Sequence, residues 1–497
     1  LKLKYLLGYD IGSSSVKAAL LDADTGLCVA TVISPETEIR IDSPEIGFAE
    51  QEPITWWNEL IRATRQLKNN SVGPADEILS IGISYQMHGL VCVDKSFGVL
   101  RPAIIWCDSR AVAIGNRAFK ELGEQFCLRN FLNSPGNFTA SKLKWVKEKQ
   151  PDIYEKIHKV MLPGDYIGFM LTGEVRTTVE GLSEAILWNF PDRRLANELL
   201  EYYQIDKSLI PELVPTFGEQ GRLQESAAEE LGLSSGIPVS YRAGDQPNNA
   251  YSLNVLKPGE MAATAGTSGV VYGVNDQANF DPQSRVNTFV HVNNTADCPR
   301  YGVLLCVNGT GILNSWLRSH LFAGSSYEDL NKEAATVAIG SDGLLFYPFG
   351  NGAERILSNK DFGACLQGLQ FNRHGRGHLL RAAQEGIVFA LKYGTEIMEE
   401  MGIALNCVRA GHTNMFLSEV FASSFANATG CEVELYNTDG AQGAARAAGV
   451  GIKWFKNMAE SFKGMELVSR VEPSEAKRDQ TNQAYQRWKK NLSSIIQ

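Results

Sequence analysis

The sequence predicts an α/β protein of two domains, and three observations carry that expectation. Its 497 residues exceed what one ordinary core holds, so two domains with a cleft between them are expected. Strand-like apolar runs bounded by turns occur alongside helical stripes, the mixture an α/β architecture needs. A short pattern also occurs twice. Gly12-Ser13-Ser14-Ser15-Val16 and Gly266-Thr267-Ser268-Gly269-Val270 both read glycine, hydroxyl, serine, small, valine, each between apolar β-like runs. Such repetition points to internal duplication. Two equivalent glycine hairpins would then face each other and grip one polyphosphate from both sides; a coincidence of five small residues is the alternative.

Composition narrows the function classes. A hydrophobic content of 44% suits a globular protein with a sizeable core, and a net charge of -9 leaves no excess of cations to neutralise a nucleic-acid backbone. A small anionic nucleotide remains compatible, held by local dipoles and a metal. Nine cysteines, odd in number and without a Cys-x-x-Cys pair, suit neither a disulfide framework nor a zinc site, so a reducing cytoplasm is expected. The chain enters a strand pattern at once and has no apolar run long enough for a membrane span. No export signal and no membrane partner are therefore expected. The absent initiator Met points to processing or an artificial start.

Taken in order, residues 4–12 read as a strand ending in Asp10-Ile11-Gly12-Ser13-Ser14-Ser15, and 16–21 as its hairpin partner, with a third run at 27–33. Asp10 either ends a strand or serves function. Pro53 opens a helix with Ile54, Trp57, Leu60, Ile61, Thr64 and Leu67 on one stripe, so the tryptophans belong to the core. A buried strand at 78–85 leads into Gln86-Met87-His88-Gly89. His88 is either a sugar ligand or a satisfied core histidine, the second favoured by spacing alone. Trp106-Cys107-Asp108-Ser109-Arg110 reads as polyol-binding chemistry or as an Asp helix cap. Residues 143–149 look helical, 160–166 resemble a strand end turning into a helix, and 177–187, rich in small and hydroxyl residues, read as a connecting segment.

The character of the chain changes near 240, which sets the expected domains at 1–240 and 241–497. Beyond it, Gly244-Asp245-Gln246 puts a carboxylate in a turn just ahead of the second glycine corner. A carboxylate there can accept a proton, while small residues let backbone N–H groups approach an anion. Asn308-Gly309-Thr310-Gly311 precedes a helix, an arrangement that admits a phosphate. Gly350 to Arg355 forms a loop with an adjacent acid and base. A long helix at 379–401 stops at Gly402. A strand at 407–410 then yields Gly411-His412-Thr413-Asn414, followed by a helix from about Ser418, a strand at 432–436 and a small-residue helix from Gly440. Those glycines and alanines signal close helix packing or the lining of a nucleotide groove. The polar segment 473–491 is either disordered or a surface helix.

The succession Asp10-Ile11-Gly12-Ser13-Ser14-Ser15-Val16-Lys17, Gln86-Met87-His88-Gly89, Arg101 to Asp108, Gly244-Asp245-Gln246 and Gly266-Thr267-Ser268-Gly269 resembles the FGGY family of carbohydrate kinases, nearest its xylulokinase branch. The resemblance spans about residues 5 to 450. It implies two ribonuclease H-like domains of the actin and sugar kinase superfamily, with the active site in the interdomain cleft. It further implies ATP and Mg2+ as cofactors, a ketopentose as substrate, and phosphorylation of D-xylulose to D-xylulose 5-phosphate. A kinase for ribulose, gluconate or glycerol is the alternative within the class, and a non-catalytic sugar-responsive ATP-binding regulator the alternative outside it. If the chain self-associates, a homodimer is expected.

By the same resemblance Asp245 is the catalytic base and Met87 with His88 contacts the sugar, joined by Trp106, Asp108 and Gln246. Asp10 is the acid of the first phosphate hairpin, near the metal and reaching it through water, with Gly12, Ser13, Ser14 and Lys17 around it. Gly266, Thr267 and Ser268 form the second phosphate hairpin, and Gly309, Gly411 and Asn414 complete the nucleotide side. This chain departs from the family pattern in having Gln246 where Asn is usual. It also has Ala410-Gly411-His412 where a glycine triplet is usual, and Glu354-Arg355 without a following Thr-Pro.

Overall fold

Lys4–Ile11 and Val16–Asp22 form an antiparallel hairpin because Gly12 turns tightly enough for its N–H to donate to the Ser15 carbonyl at 3.0 Å. The strands are nearly all apolar and buried, as strands covered on both faces are. The computed structural model describes residues 3–71, 73 and 77–495. They divide into two compact units. The first comprises Leu1–Asn254, Phe289–Asn294 and Thr438–Met465; the second comprises Val255–Thr288, Thr295–Asn437 and Glu466–Gln497. The first unit therefore contains the strand Pro238–Gly244 and the helix Asp245–Ser252.

In the first unit the strands lie in the order Cys28–Ser34, Val16–Asp22, Lys4–Ile11, Glu77–Tyr85, Pro238–Gly244 and Phe217–Arg222. The pairings along that order are antiparallel twice, parallel twice and antiparallel once. In the second unit the order Tyr301–Val307, Gly269–Asn275, Glu260–Ala265, Cys407–Gly411, Val433–Asn437 and Glu466–Val471 repeats the same directions. The duplication visible as five residues is thus a duplication of six strands, the ribonuclease H-like arrangement expected, and the second sheet adds a seventh strand, Asn287–Val290, beyond Tyr301–Val307. Three parallel strands end at one edge in each unit. In the first, Ile11 and Gly244 are both level with Tyr85. Ligands of open α/β sheets bind beyond such carboxyl ends.

The helix Gly440–Gly451 lies on the first sheet at very short range. A Cβ on Gly8 would overlap the Ala441 carbonyl, and one on Gly82 the Ala444 carbonyl. Close packing accounts for the small-residue run. Helix Pro53–Ser71 buries Trp56 and Trp57, whose indole N–H groups donate to Gln51 and Glu230 at 3.0 Å each. Ile54 is exposed, so Ala63 and Trp56 replace Ile54 and Ile61 on the buried stripe. One reading needs correction. Residues 177–187 are not merely connecting: Val179–Glu184 is a helix capped by Thr178, which accepts from Gly181 N–H, and its Glu180 and Glu184 are fully buried.

The second unit's core gathers on the long helix Arg376–Glu400. The polar C-terminal segment resolves as a helix, Glu475–Ile495, with Thr481, Ala484, Tyr485, Trp488 and Leu492 on a buried stripe. Trp488 stacks on Tyr347 at 5.2 Å between ring centroids, and its Nε1–H donates to the Phe346 carbonyl at 2.9 Å. Removing this side chain leaves both a cavity and an unmet acceptor. Trp488→Ala is expected to cost about 3–5 kcal/mol, read from urea unfolding; an unchanged midpoint would contradict the docking of this helix. Among the described residues no helix is long and apolar enough to cross a membrane.

Candidate active site

The carboxyl edge of the first sheet gathers acids. Asp10 comes from the first strand, Ser84 from the second and Asp245 from the helix that follows the third. Ser84 Oγ donates to Asp10 Oδ1 at 2.9 Å. Burial pushes the Asp10 carboxyl up, against the pull of Lys17, its cross-strand partner. Helix Gly440–Gly451 starts close enough that a Cβ on Gly440 would lie 2.5 Å from Asp10 Oδ2, so its N-terminal dipole meets that carboxylate. Asp245 opens the helix Asp245–Ser252. Its pKa is raised well above the carboxylate range by burial first, then by the charges of Asp10 and Glu184. Hydrogen bonds from the Gln246 backbone and side chain oppose the rise.

The residues expected to contact the sugar assemble beside this edge. Met87 is buried and packs on Gly244, where a Cβ would lie 2.6 Å from Met87 Cγ. His88 has a left-handed backbone, φ 62°. Its N–H donates to Glu184 Oε2 at 2.8 Å, and its Nδ1 lies 3.0 Å from the Glu184 carbonyl and 3.2 Å from Oε2. Phe138 and Phe289 flank the ring, with centroids 4.8 and 5.4 Å away. Trp106 is 44% exposed, and its Nε1–H reaches Ser13 Oγ at 3.3 Å. Gly12 makes the turn, and Ser14 lies exposed at its tip.

Asp108 stands apart from this group. It is wholly buried, and its oxygens accept from Ala49 N–H at 2.6 Å, from Arg110 N–H at 2.9 Å and from the Arg110 guanidinium. The N-cap of the following helix is Ala111, so Asp108 is not the helix cap.

Three buried charged groups next to His88 and Gly244 were not singled out from sequence. Lys142 Nζ donates to the His88 carbonyl at 2.8 Å and the Ile105 carbonyl at 2.9 Å. Burial pulls its pKa down to about 8, against the charges of Asp108, Cys107 and Glu184. Glu180 Oε2 accepts from Gly244 N–H at 3.4 Å, and burial and the charge of Glu184 drive its carboxyl well up. Glu184 is the third. One signal was present, since Thr178 ahead of Glu180 is a helix start; Lys142 is set apart only by packing, which puts it on the buried face of helix Thr139–Lys149 with Thr139, Leu143 and Val146.

The second unit forms a matching corner. Gly266 and Thr267 carbonyls accept from Gly311 N–H at 2.9 Å and Ile312 N–H at 3.1 Å, which locks the glycine hairpin to the 308–311 loop. A Cβ on Gly309 would overlap the Pro348 carbonyl, and the Asn414 amide lies 3.7 Å from where a Gly266 Cβ would stand. Asn414 is itself left-handed at φ 53°. Gly411 ends its strand, Thr267 is exposed and Ser268 half-buried. Glu354 holds the 308–311 loop, accepting from Asn308 N–H at 2.9 and 3.2 Å; burial raises its pKa to about 8 despite the donors of Asn308 and Gly309.

Comparison with known proteins agrees with this fold. The model of the FGGY family of carbohydrate kinases matches with its N-terminal domain over residues 5–251 and its C-terminal domain over residues 261–452. The chain belongs to the FGGY family of carbohydrate kinases, phosphotransferases with an alcohol group as acceptor and ATP as donor. It is similar to the xylulose kinase of Bacillus subtilis, 28% identical over 462 residues, covering 92% of this chain and 90% of that one. The crystal structure of xylulose kinase from Rhodospirillum rubrum superposes with a TM-score of 0.87 at 25% identity, over 99% of both chains. Gluconate kinase from Lactobacillus acidophilus superposes at 0.89 and 23% identity, over 100% of this chain and 99% of that one, a likeness of fold.

Proposed function

We propose that the chain transfers the γ-phosphoryl group of ATP to the C5 hydroxyl of D-xylulose, giving D-xylulose 5-phosphate and ADP. The observation that carries this reading is Asp245, a carboxylate of raised proton affinity at the sheet's carboxyl edge, grouped with Met87 and His88. Asp245 accepts the hydroxyl proton as the new O–P bond forms and the bond to ADP breaks. Phosphoryl transfer otherwise demands positioning and neutralised charge. Gln246, next to the base at the start of helix Asp245–Ser252, contacts the sugar. Gly266, Thr267 and Ser268, braced by the Gly309–Gly311 loop, hold nucleotide phosphates, with Gly411 and Asn414 on the adenosine side.

The nucleotide arrives as its magnesium complex. Among the described residues no group of three His, Cys, Asp or Glu forms a metal site. A single carboxylate, Asp10, suits an ion that keeps most of its water shell. On this reading the enzyme works in the cytoplasm, alone or as a homodimer.

The pH profile follows from the site's charges. A base with a raised pKa is ionised only above that pKa, so kcat/KM for sugar is expected to fall on the acid side well above the usual carboxylate range. Glu184→Gln removes a like charge and is expected to move that limb to lower pH. An acid limb near pH 4, the ordinary Asp value, would count against Asp245 as the base.

Measuring ADP release with D-xylulose, D-ribulose, D-gluconate and glycerol tests the substrate. The highest kcat/KM is expected with D-xylulose. Rapid turnover of another acceptor and none of D-xylulose would replace it. Binding of sugar and ATP without any phosphorylated product would favour a regulator.

A further inference from the structure

Glu180 and Glu184 stand four residues apart on helix Val179–Glu184, and both side chains are wholly buried. At that spacing the two side chains are neighbours. Each carboxyl takes one backbone N–H with its Oε2 atom: Glu184 that of His88 at 2.8 Å, and Glu180 that of Gly244 at 3.4 Å. The Oε1 atoms are the anomaly. Both are buried, and among the described residues neither has a hydrogen-bond partner. Adjacent buried acceptors without a donor cost free energy, and two like charges side by side out of water cost more. A single proton relieves both, because a protonated carboxyl donates to its neighbour. The surroundings put that proton on Glu180. Glu184 receives the shorter N–H bond, its Oε2 also lies 3.2 Å from His88 Nδ1, and the charge of Lys142 acts on it. Glu180 has only the longer bond, and the further groups that face it, Asp165 and Asp245, are acids. Arg242 is committed to Asp165, and Tyr85 faces Glu184 as a neutral phenol whose pKa burial drives well up.

We infer that Glu180 is a neutral carboxylic acid donating its proton to Glu184, and that the pair is a positioning staple joining the strand end that carries Asp245 to the turn that carries Met87 and His88. Gly244, held by Glu180, immediately precedes Asp245 and lies level with Tyr85, the last residue of the neighbouring parallel strand. His88, held by Glu184 at its N–H and by Lys142 at its carbonyl, lies three residues beyond Tyr85. Its left-handed backbone, φ 62°, is a conformation that persists where neighbours over-determine it. One short helix thereby fixes the spacing between the base and that turn. The inference rests on the proposed role of Asp245 as base and says what holds that base in place.

The test has two independent arms. The first reads the proton: in protein labelled with [5-13C]glutamate, the Glu180 carboxyl resonance is assigned by its loss in Glu180→Gln. It is expected to keep the shift of a neutral carboxyl at pH 7, above the ordinary Glu pKa of about 4.3; a carboxylate shift at pH 7 would overturn the inference. The second arm reads positioning, by steady-state kinetics with ATP and D-xylulose. Glu180→Met removes both the proton and the acceptor for Gly244 N–H. It is expected to lower kcat/KM for D-xylulose about 10-fold or more while KM for ATP stays within about two-fold, a split that general loss of structure would not produce. Glu180→Gln, whose amide can accept from Gly244 and donate to Glu184, is expected to recover most of that loss. Equal damage in the two variants, or none in Glu180→Met, would overturn the staple. Failure of the proposed activity shows separately, as no ADP release with any acceptor, and the Glu180 resonance then decides the shared proton alone.

Discussion

Asp245→Asn is expected to lower kcat by roughly 10²–10⁴-fold, the contribution of a positioned general base, while sugar still binds. The amide keeps the shape of the carboxyl and its place at the start of helix Asp245–Ser252. It cannot take the proton that the acceptor hydroxyl must lose. The substitution also removes the like-charge repulsion that Asp10 and Glu184 exert on Asp245, so stability should hold or rise. Titration calorimetry with D-xylulose alongside initial rates separates the two effects. Near-normal turnover in a variant that binds sugar would contradict the base assignment.

Gly311→Ala is expected to raise KM for ATP about 10-fold or more, since forcing a methyl into a filled contact costs about 1–3 kcal/mol. Gly311 N–H and Ile312 N–H hold the Gly266 and Thr267 carbonyls, and a Cβ on Gly311 would overlap the Gly266 carbonyl. The methyl must therefore part the glycine hairpin from the 308–311 loop. Sugar affinity, which the proposed function assigns to His88 and Met87 in the first unit, should stay close to wild type. An unchanged KM for ATP would show that these two loops do not form the phosphate corner.

Local chemistry made the hairpins legible. A glycine and hydroxyl turn between two apolar runs leaves few conformations, so Gly12 to Val16 and Gly266 to Val270 could be read, and read as equivalent, without coordinates. Asp245 was legible for the same reason, a carboxylate at a strand-to-helix turn. What escaped depends on tertiary partners. Lys142 looks like any lysine of an amphipathic helix until its stem is buried and its amine meets the His88 and Ile105 carbonyls. Glu180 and Glu184 lie on a helix of six residues, too short for periodicity to reveal in a segment of small and hydroxyl residues. Asp108 reads locally as a ligand or a cap, and only packing shows its oxygens committed to Ala49 and Arg110.

The most direct test of the account is the position of the phosphate in the product. Incubation of the enzyme with ATP, Mg2+ and D-[5-13C]xylulose, followed by 31P and 13C NMR, should show phosphorus coupled to the labelled C5 and one ADP formed per phosphorylated sugar. Phosphate on another carbon, or ADP accompanied only by inorganic phosphate, would contradict it.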